Sequence, residues 1–157
     1  MKIDPQIVEA AILNKNMCLD SIYEYINNIA GFGVRGMCFP SSFVNISNLR
    51  RFIEEASYKY DFEIIGVVGY PNGDTSAGSK LTEISDLCGF AGTLDIVLNP
   101  IYIQSEMWQF VRGEMIEMFV STNANIRWII ETPTLTDGQI VAVSQLILET
   151  GGGIKTA

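Results

Sequence analysis

The chain has no histidine among its 157 residues, and that absence removes a large share of enzyme chemistry. Imidazole is the usual general base near neutral pH, so neither a Ser-His-Asp nor a Cys-His mechanism can be assembled. Any catalysis has to run on lysine, carboxylate, tyrosine or cysteine. Cysteine is scarce as well: Cys18, Cys38 and Cys88 are odd in number, far apart and not in metal-ligand spacing. A disulfide framework and a metal site both lose their support, and no metal is expected. Basic residues number ten against eighteen acidic ones, a net charge of -8. With Arg50-Arg51 as the one basic doublet, extended contact with a phosphate backbone is disfavoured and no nucleic-acid partner is expected. Long apolar runs are missing too. Residues 62–70 (FEIIGVVGY) are too short and too interrupted to cross a bilayer, and the N-terminus lacks the basic-then-apolar profile of a signal peptide. These features predict a cytoplasmic protein with no membrane partner, whose partners are small molecules or further copies of itself.

What is present is a regular alternation. Nearly half of the residues are hydrophobic and no segment is of low complexity, which suits one globular domain over residues 1–157. Short apolar runs at 7–13, 34–39, 62–70, 93–98, 126–131 and 154–156 read as strands. Between them, helical spacing places Leu19, Ile22, Ile26 and Ile29 on one face of a helix over 17–30. The same spacing sets Ile46, Leu49, Phe52, Ile53 and Ala56 on a second helix. Further helices are expected at 78–88, 105–120 and 139–148, the last opened by a capping-box pair, Thr136 and Gln139. Met107, Met115 and Met118 on the fourth helix read as core. Lys80 and Glu83 read as a solvated face near the start of the third.

Strands that are apolar nearly throughout, such as Ile64-Ile65-Gly66-Val67-Val68 and Arg127-Trp128-Ile129-Ile130, belong to a parallel sheet covered by helices. Two α/β architectures fit: an open doubly wound sheet, or part of a (β/α)8 barrel. No G-x-G-x-x-G follows the first strand and no G-x-x-x-x-G-K-[ST] occurs, so nucleotide-binding readings lose their main support. In barrels the active site lies at the carboxyl ends of the strands. Cys38, Asn99 and Glu131 stand at those ends, with Asp95 and Lys155 inside their strands. Asp95 lies between Leu94 and Ile96, and a buried carboxylate needs either a partner or a function. Cys38 by itself reads as a small buried hydrophobe. Glu131 either orients Lys155 or Arg127 or accepts backbone hydrogen bonds at a strand end.

Five segments, in order, resemble the deoxyribose-phosphate aldolases, class I Schiff-base enzymes built on a (β/α)8 barrel. Gly36-Met37-Cys38-Phe39-Pro40-Ser41-Ser42-Phe43-Val44 is similar to the family's cysteine-containing second strand and its Pro-Ser-Tyr-Val continuation. Gly69-Tyr70-Pro71-Asn72-Gly73, with Lys80 and Glu83 following, resembles a Gly-Phe-Pro-x-Gly turn with lysine and glutamate at the same offsets. Asp95-Ile96-Val97-Leu98-Asn99 resembles Asp-Met-Val-Ile-Asn. Ile129-Ile130-Glu131-Thr132, with Leu135-Thr136-Asp137, is close to Ile-Ile-Glu-Thr and Leu-Thr-Asp. Gly152-Gly153-Ile154-Lys155-Thr156 stands where the family has Gly-Ala-Asp-Phe-Val-Lys-Thr.

The resemblance implies a TIM-barrel-type domain of about six βα units, with Lys155 as the Schiff-base lysine and Asp95 as the proton relay. Cys38, Asn99, Arg127 and Glu131 are the implied substrate-binding residues. The substrate would be an aldehyde or sugar phosphate, with no metal or organic cofactor, and the implied reaction is reversible cleavage of 2-deoxyribose 5-phosphate into acetaldehyde and glyceraldehyde 3-phosphate. A lysine amine serves this chemistry because it condenses with a carbonyl to an iminium, which draws in electrons as the neighbouring carbon-carbon bond breaks. Departures from the family pattern temper the expected activity. The family's second lysine, on a seventh strand, and its glycine-rich phosphate loops have no counterpart. Its Asp-His-Thr near the first strand is read as replaced by Ala10-Ala11-Ile12, removing a polar group from the pocket. Arg127 stands where many relatives have lysine, and a guanidinium cannot exchange protons as an amine does. Weak or absent turnover is therefore expected, and strands one and six, lacking neighbours, are expected to be covered by self-association into a homo-oligomer. The alternative is a catalytically silent barrel remnant or gene fragment serving as an oligomeric or binding module.

Overall fold

The computed structural model describes residues 4–14 and 16–156. Six strands pair in parallel in the order in which they occur: Glu9–Ala11 (β1), Gly36–Pro40 (β2), Glu63–Val68 (β3), Thr93–Val97 (β4), Asn125–Ile130 (β5) and Gly153–Thr156 (β6). The helices between them are Leu19–Ala30 (α1), Ser47–Tyr60 (α2), Ala77–Leu87 (α3), Pro100–Gln104 (α4), Trp108–Val120 (α5) and Asp137–Thr150 (α6). A doubly wound sheet reverses its strand order at a switch point. No reversal occurs here, so the barrel-type architecture is the one adopted, as a curled, incomplete barrel of six βα units.

The doubly apolar strands divide their side chains between two cores, as the two-residue period of a strand requires. Met37, Phe39, Val68, Leu94, Ile96, Ile126, Trp128 and Ile130 face outward into the large core beneath the helices. Cys38, Ile65, Val67, Val97 and Ile129, with Leu13 against them, form a separate small cluster inside the curl. Each helix offers one stripe to the outer core: Ile22, Ile26 and Ala30 from α1, and Leu49, Ile53 and Ala56 from α2. The expected capping box is present, Thr136 Oγ1 accepting from the Gln139 N–H while Gln139 Oε1 accepts from the Thr136 N–H.

Three expectations change. The helix expected over 105–120 begins only at Trp108, because Pro100 and the Asn99 cap start a separate short helix that ends before Glu106, a residue with φ of 56°. Met115 and Met118 are fully buried as expected, whereas Met107 precedes α5 and is partly exposed. Lys80 is no solvated residue: none of its surface is exposed, and Glu83 is hydrogen-bonded to the end of β3.

Two glycines test this description. Gly73 has φ of 70°, and a Cβ there would overlap the Leu98 carbonyl oxygen. Gly113 lies within α5, where a Cβ meets nothing within 4 Å. Urea unfolding should show Gly73→Ala losing about 2–4 kcal/mol, through an unfavourable backbone conformation and a backbone clash. Gly113→Ala should gain about 0.5–1 kcal/mol, the glycine penalty within a helix.

Candidate active site

Asp95 projects from the middle of β4 into the curl, with none of its surface exposed. An isolated buried carboxylate costs several kcal/mol or more, so its charge has to be met. Arg127 on β5 is its register partner and meets it with a two-pronged bond, Nε to Oδ1 at 2.6 Å and Nη2 to Oδ2 at 3.0 Å. Such fork-on-fork pairs are among the stronger charge-assisted hydrogen bonds. Lys155 on β6 donates from Nζ to Oδ2 at 2.6 Å. The other arm of Arg127 reaches across the curl to Glu9 of β1, Nη1 to Oε1 at 2.6 Å, and Lys155 Nζ lies 3.9 Å from Glu9 Oε2. Two carboxylates and two cations drawn from four strands thus form one charge-balanced group, with the more exposed Arg35 at its rim, Nη1 3.9 Å from Glu9 Oε1.

The electrostatics follow from these contacts. The hydrogen bond from Arg127 holds the Glu9 carboxyl below its ordinary value of 4.5; partial burial opposes this, and the charges of Arg127, Lys155 and Arg35 add to it. Burial would pull the Arg127 guanidinium down, but the bonds to Glu9 and Asp95 outweigh it and hold the group above its usual range. Burial, followed by the negative charge of Asp95, pushes the Cys38 thiol up to about 12. That thiol is therefore neutral and unreactive at ordinary pH, a packing element of the inner cluster.

Of the residues expected from the sequence, Lys155, Asp95 and Arg127 converge, and Cys38 lies near enough to feel their charges. Asn99 and Glu131 do not join them. The Asn99 side chain caps α4 by accepting from the Ile101 N–H, and its own N–H donates to Glu114. Glu131 precedes the short turn Thr132–Thr134, and its carbonyl accepts from Thr134; its carboxylate bonds neither Lys155 nor Arg127. Glu9 was not anticipated: it places a charge inside the first strand beside the apolar Ala10-Ala11-Ile12. Strand parity turns Glu9 and Ala11 inward, and Glu9 supplies the charge. Its signal in the sequence was the one that marked Asp95, a carboxylate within an otherwise apolar strand.

The buried pair Lys80 and Glu114 was also missed. Lys80 shares the buried stripe of α3 with Ile84 and Leu87, and Glu114 shares that of α5 with Val111, Met115 and Met118. Those core positions were the available signal. Lys80 Nζ donates to Glu114 Oε1 at 2.6 Å and to the Val97 carbonyl at 2.8 Å.

Two openings lie at opposite ends of the sheet, and of the four charged residues Arg127 lines the first while none lines the second. A cleft of about 530 Å³ at the amino ends of the strands is lined by Arg35, Glu63, Thr93, Asn125, Arg127 and Gly153. A pocket of about 320 Å³ lies at the carboxyl ends of β1 to β3, among Leu13, Asn14, Ser42, Phe43, Tyr70 and Pro71. The second is on the face where barrel enzymes carry out their chemistry. Among the described residues no three acidic or thiol side chains converge as a metal would require.

No protein-family model matches the chain. The deoxyribose-phosphate aldolase of Thermoanaerobacter pseudethanolicus is 25% identical over 158 aligned residues, covering 97% of this chain and 68% of that protein. A solved structure described as an aldolase superposes with a TM-score of 0.84 at 27% identity, covering 99% of this chain and 68% of the other. The deoxyribose phosphate aldolase of Aeropyrum pernix, described as a tetramer, superposes at 0.78 with 18% identity, covering 98% of this chain and 63% of its own, a likeness of fold. The chain spans about two thirds of the length of these curated relatives.

Because the folded Glu9 carboxyl is depressed, its contribution is complete above its ordinary value and is lost as pH falls through the folded one. Urea midpoints should therefore drop on acidification below about pH 4.5. Arg127→Met, which takes from Glu9 its hydrogen-bond donor and leaves Asp95 with Lys155 alone, should cost about 3–5 kcal/mol at pH 7 by urea titration. Iodoacetamide at pH 8 should modify the exposed Cys18 and Cys88 and spare Cys38 in the folded protein. In residue pattern, fold and sequence alike, the chain is similar to the deoxyribose-phosphate aldolases.

Proposed function

We propose that Lys155 is a Schiff-base lysine and that this site supports class I aldolase chemistry. The reaction in view is the reversible cleavage of 2-deoxyribose 5-phosphate into glyceraldehyde 3-phosphate and acetaldehyde. The observation that carries the proposal is the 2.6 Å contact from Lys155 Nζ to Asp95 Oδ2 inside a barrel-type sheet. Asp95 accepts a proton from the lysine as the amine attacks the aldehyde carbon. It returns a proton as the carbinolamine hydroxyl leaves as water, giving the iminium. The C3 hydroxyl then gives its proton to Asp95 as the C2–C3 bond breaks, releasing glyceraldehyde 3-phosphate while the bond's electrons pass through C2 to the iminium nitrogen; the resulting enamine is protonated at C2 and hydrolysed, releasing acetaldehyde and the amine. The iminium is the electron sink, so the scheme needs no cofactor. Arg127 stays protonated throughout and orients Asp95.

Slow turnover is part of the proposal. Arg127 stands where the resemblance places a lysine, and a guanidinium cannot exchange protons as an amine does. We infer a cytoplasmic setting, in keeping with the absence, among the described residues, of any helix long and apolar enough to cross a membrane. Self-association is supported by the apolar side chains exposed on α5 and α6, among them Phe110, Ile116, Val120 and Leu148.

Incubation with acetaldehyde and borohydride, followed by mass spectrometry, should place an N-ethyl group on Lys155. Lys155→Met should abolish that adduct, and Asp95→Asn should slow its formation about a hundredfold, a usual contribution for a positioned acid-base group. Cleavage of deoxyribose 5-phosphate should be detectable and slow. No adduct on the folded protein would overturn the proposal in favour of a silent binding module.

A further inference from the structure

Parallel strands make backbone bonds to one neighbour through alternate residues. In β4 the odd residues look towards β3: Asp95 pairs with Val67, while the Leu98 N–H bonds the other way, to Ile129 of β5. The β3 ladder stops at Val68, and the chain turns off at Gly69 with φ of 68°. The Val97 carbonyl and the Asn99 N–H, both on the β3 side, are left without a strand partner at the carboxyl end of the sheet.

Side chains from two helices fill that place. Lys80 Nζ donates to the Val97 carbonyl at 2.8 Å, and Glu114 Oε2 accepts from the Asn99 N–H at 3.1 Å. The pair is joined at 2.6 Å between Lys80 Nζ and Glu114 Oε1. One turn beyond Lys80, Glu83 accepts from the Gly69 N–H at 2.9 Å, closing off the departing end of β3. Gly69 also has to be a glycine, since a Cβ there would lie 2.8 Å from Lys80 Cε. Among the described residues no buried side-chain nitrogen or oxygen is left without a hydrogen-bond partner, at the cost of burying a full ion pair.

We propose that Lys80 and Glu114 are positioning residues for the candidate site: they replace the β3 ladder where β3 leaves the sheet, and so hold the carboxyl end of β4 at the height that sets Asp95 between Arg127 and Lys155. Neither touches the reacting atoms. Their effect passes through Ile96, the one residue of β4 between Asp95 and Val97.

The chemical test rests on the Schiff-base reading of Lys155, and a second readout is independent of it. Lys80→Met/Glu114→Met replaces the pair by apolar side chains of similar length, a kind of exchange that buried ion pairs often tolerate. With the fold verified by circular dichroism and urea titration, borohydride trapping of acetaldehyde on Lys155 should slow at least tenfold per folded molecule, the half-saturating aldehyde concentration changing less than twofold. Glu114→Gln, which keeps an acceptor oxygen, should slow trapping less than threefold. The independent readout is Cys38, whose thiol feels Asp95: its iodoacetamide modification at pH 9 should quicken severalfold in the double variant while Cys88 is unchanged. A folded double variant with wild-type trapping and wild-type Cys38 reactivity would reduce the pair to a purely structural tie. If the wild-type chain forms no Lys155 adduct, the Schiff-base reading fails by itself, and the Cys38 comparison alone decides the positioning role. If the double variant does not fold, Lys80→Arg, which keeps a cation for Glu114, carries the same two readouts, and unchanged Cys38 reactivity there overturns the inference.

Discussion

A carboxylate with none of its surface in water has to be met by cations, and meeting the charge of Asp95 organises the whole inner face of the sheet. Arg127 answers it from the adjacent strand, in register, and Lys155 from the strand beyond. Arg127 has a second arm to satisfy, which finds Glu9 on the far side of the curl. A flat sheet could not bring β1 to β5 with three strands between them. The salt-bridged group is therefore a description of the curvature as much as of the chemistry. Its balance of two negative and two positive charges lets four ionic side chains sit together inside, where an unbalanced set would be costly.

The two cores divide the labour. Most of the apolar surface is buried on the helix side of the sheet, where Trp128, Phe39 and Leu94 meet helix stripes. That burial supplies the general driving force for folding. The inner cluster is small, five buried residues with Leu13 against them, and it surrounds the charged group on the side of the carboxyl ends. Removal of water from around Asp95 strengthens each of its contacts. The same dryness keeps the Cys38 thiol protonated, so the lysine is the available nucleophile of the inner face.

Much of this was legible in the sequence, for reasons that individual residues make plain. A charge inside an apolar strand stands out, so Asp95, Arg127 and Lys155 could be selected, and the regular alternation of elements pointed to a parallel sheet. Glu9 carried the same mark but lay in a weak strand whose ends were set too wide; over three residues, parity is easily misjudged. Lys80 and Glu114 were hidden differently. A charged residue on a helix is solvated by default, and only their positions on the buried stripes contradict that default. Asn99 and Glu131 were placed correctly at strand ends, but a strand end is also where helices are capped and turns begin: the Asn99 side chain caps α4, and Glu131 lends its backbone carbonyl to Thr134. The choice between a doubly wound sheet and a barrel depended on strand order, which periodicity does not encode.

On the Schiff-base reading, the arrangement around Asp95 also resolves a difficulty of charge. A lysine that attacks a carbonyl must first become neutral, and the proton it gives to Asp95 removes one positive and one negative charge together, leaving Arg127 balanced by Glu9. Asp95 does not rely on Lys155 alone, because both of its oxygens are bonded by Arg127. The guanidinium stays charged while the lysine cycles between ammonium, neutral amine and iminium. When the iminium forms, the positive charge returns to the lysine nitrogen and the four-strand balance with Glu9 is restored. Arginine in place of lysine on β5 thus gives up a proton-exchanging group and gains a permanent counter-charge for the carboxylate. The fold is held by a cation that never titrates, and the titrating chemistry is left to a single lysine at the sheet edge.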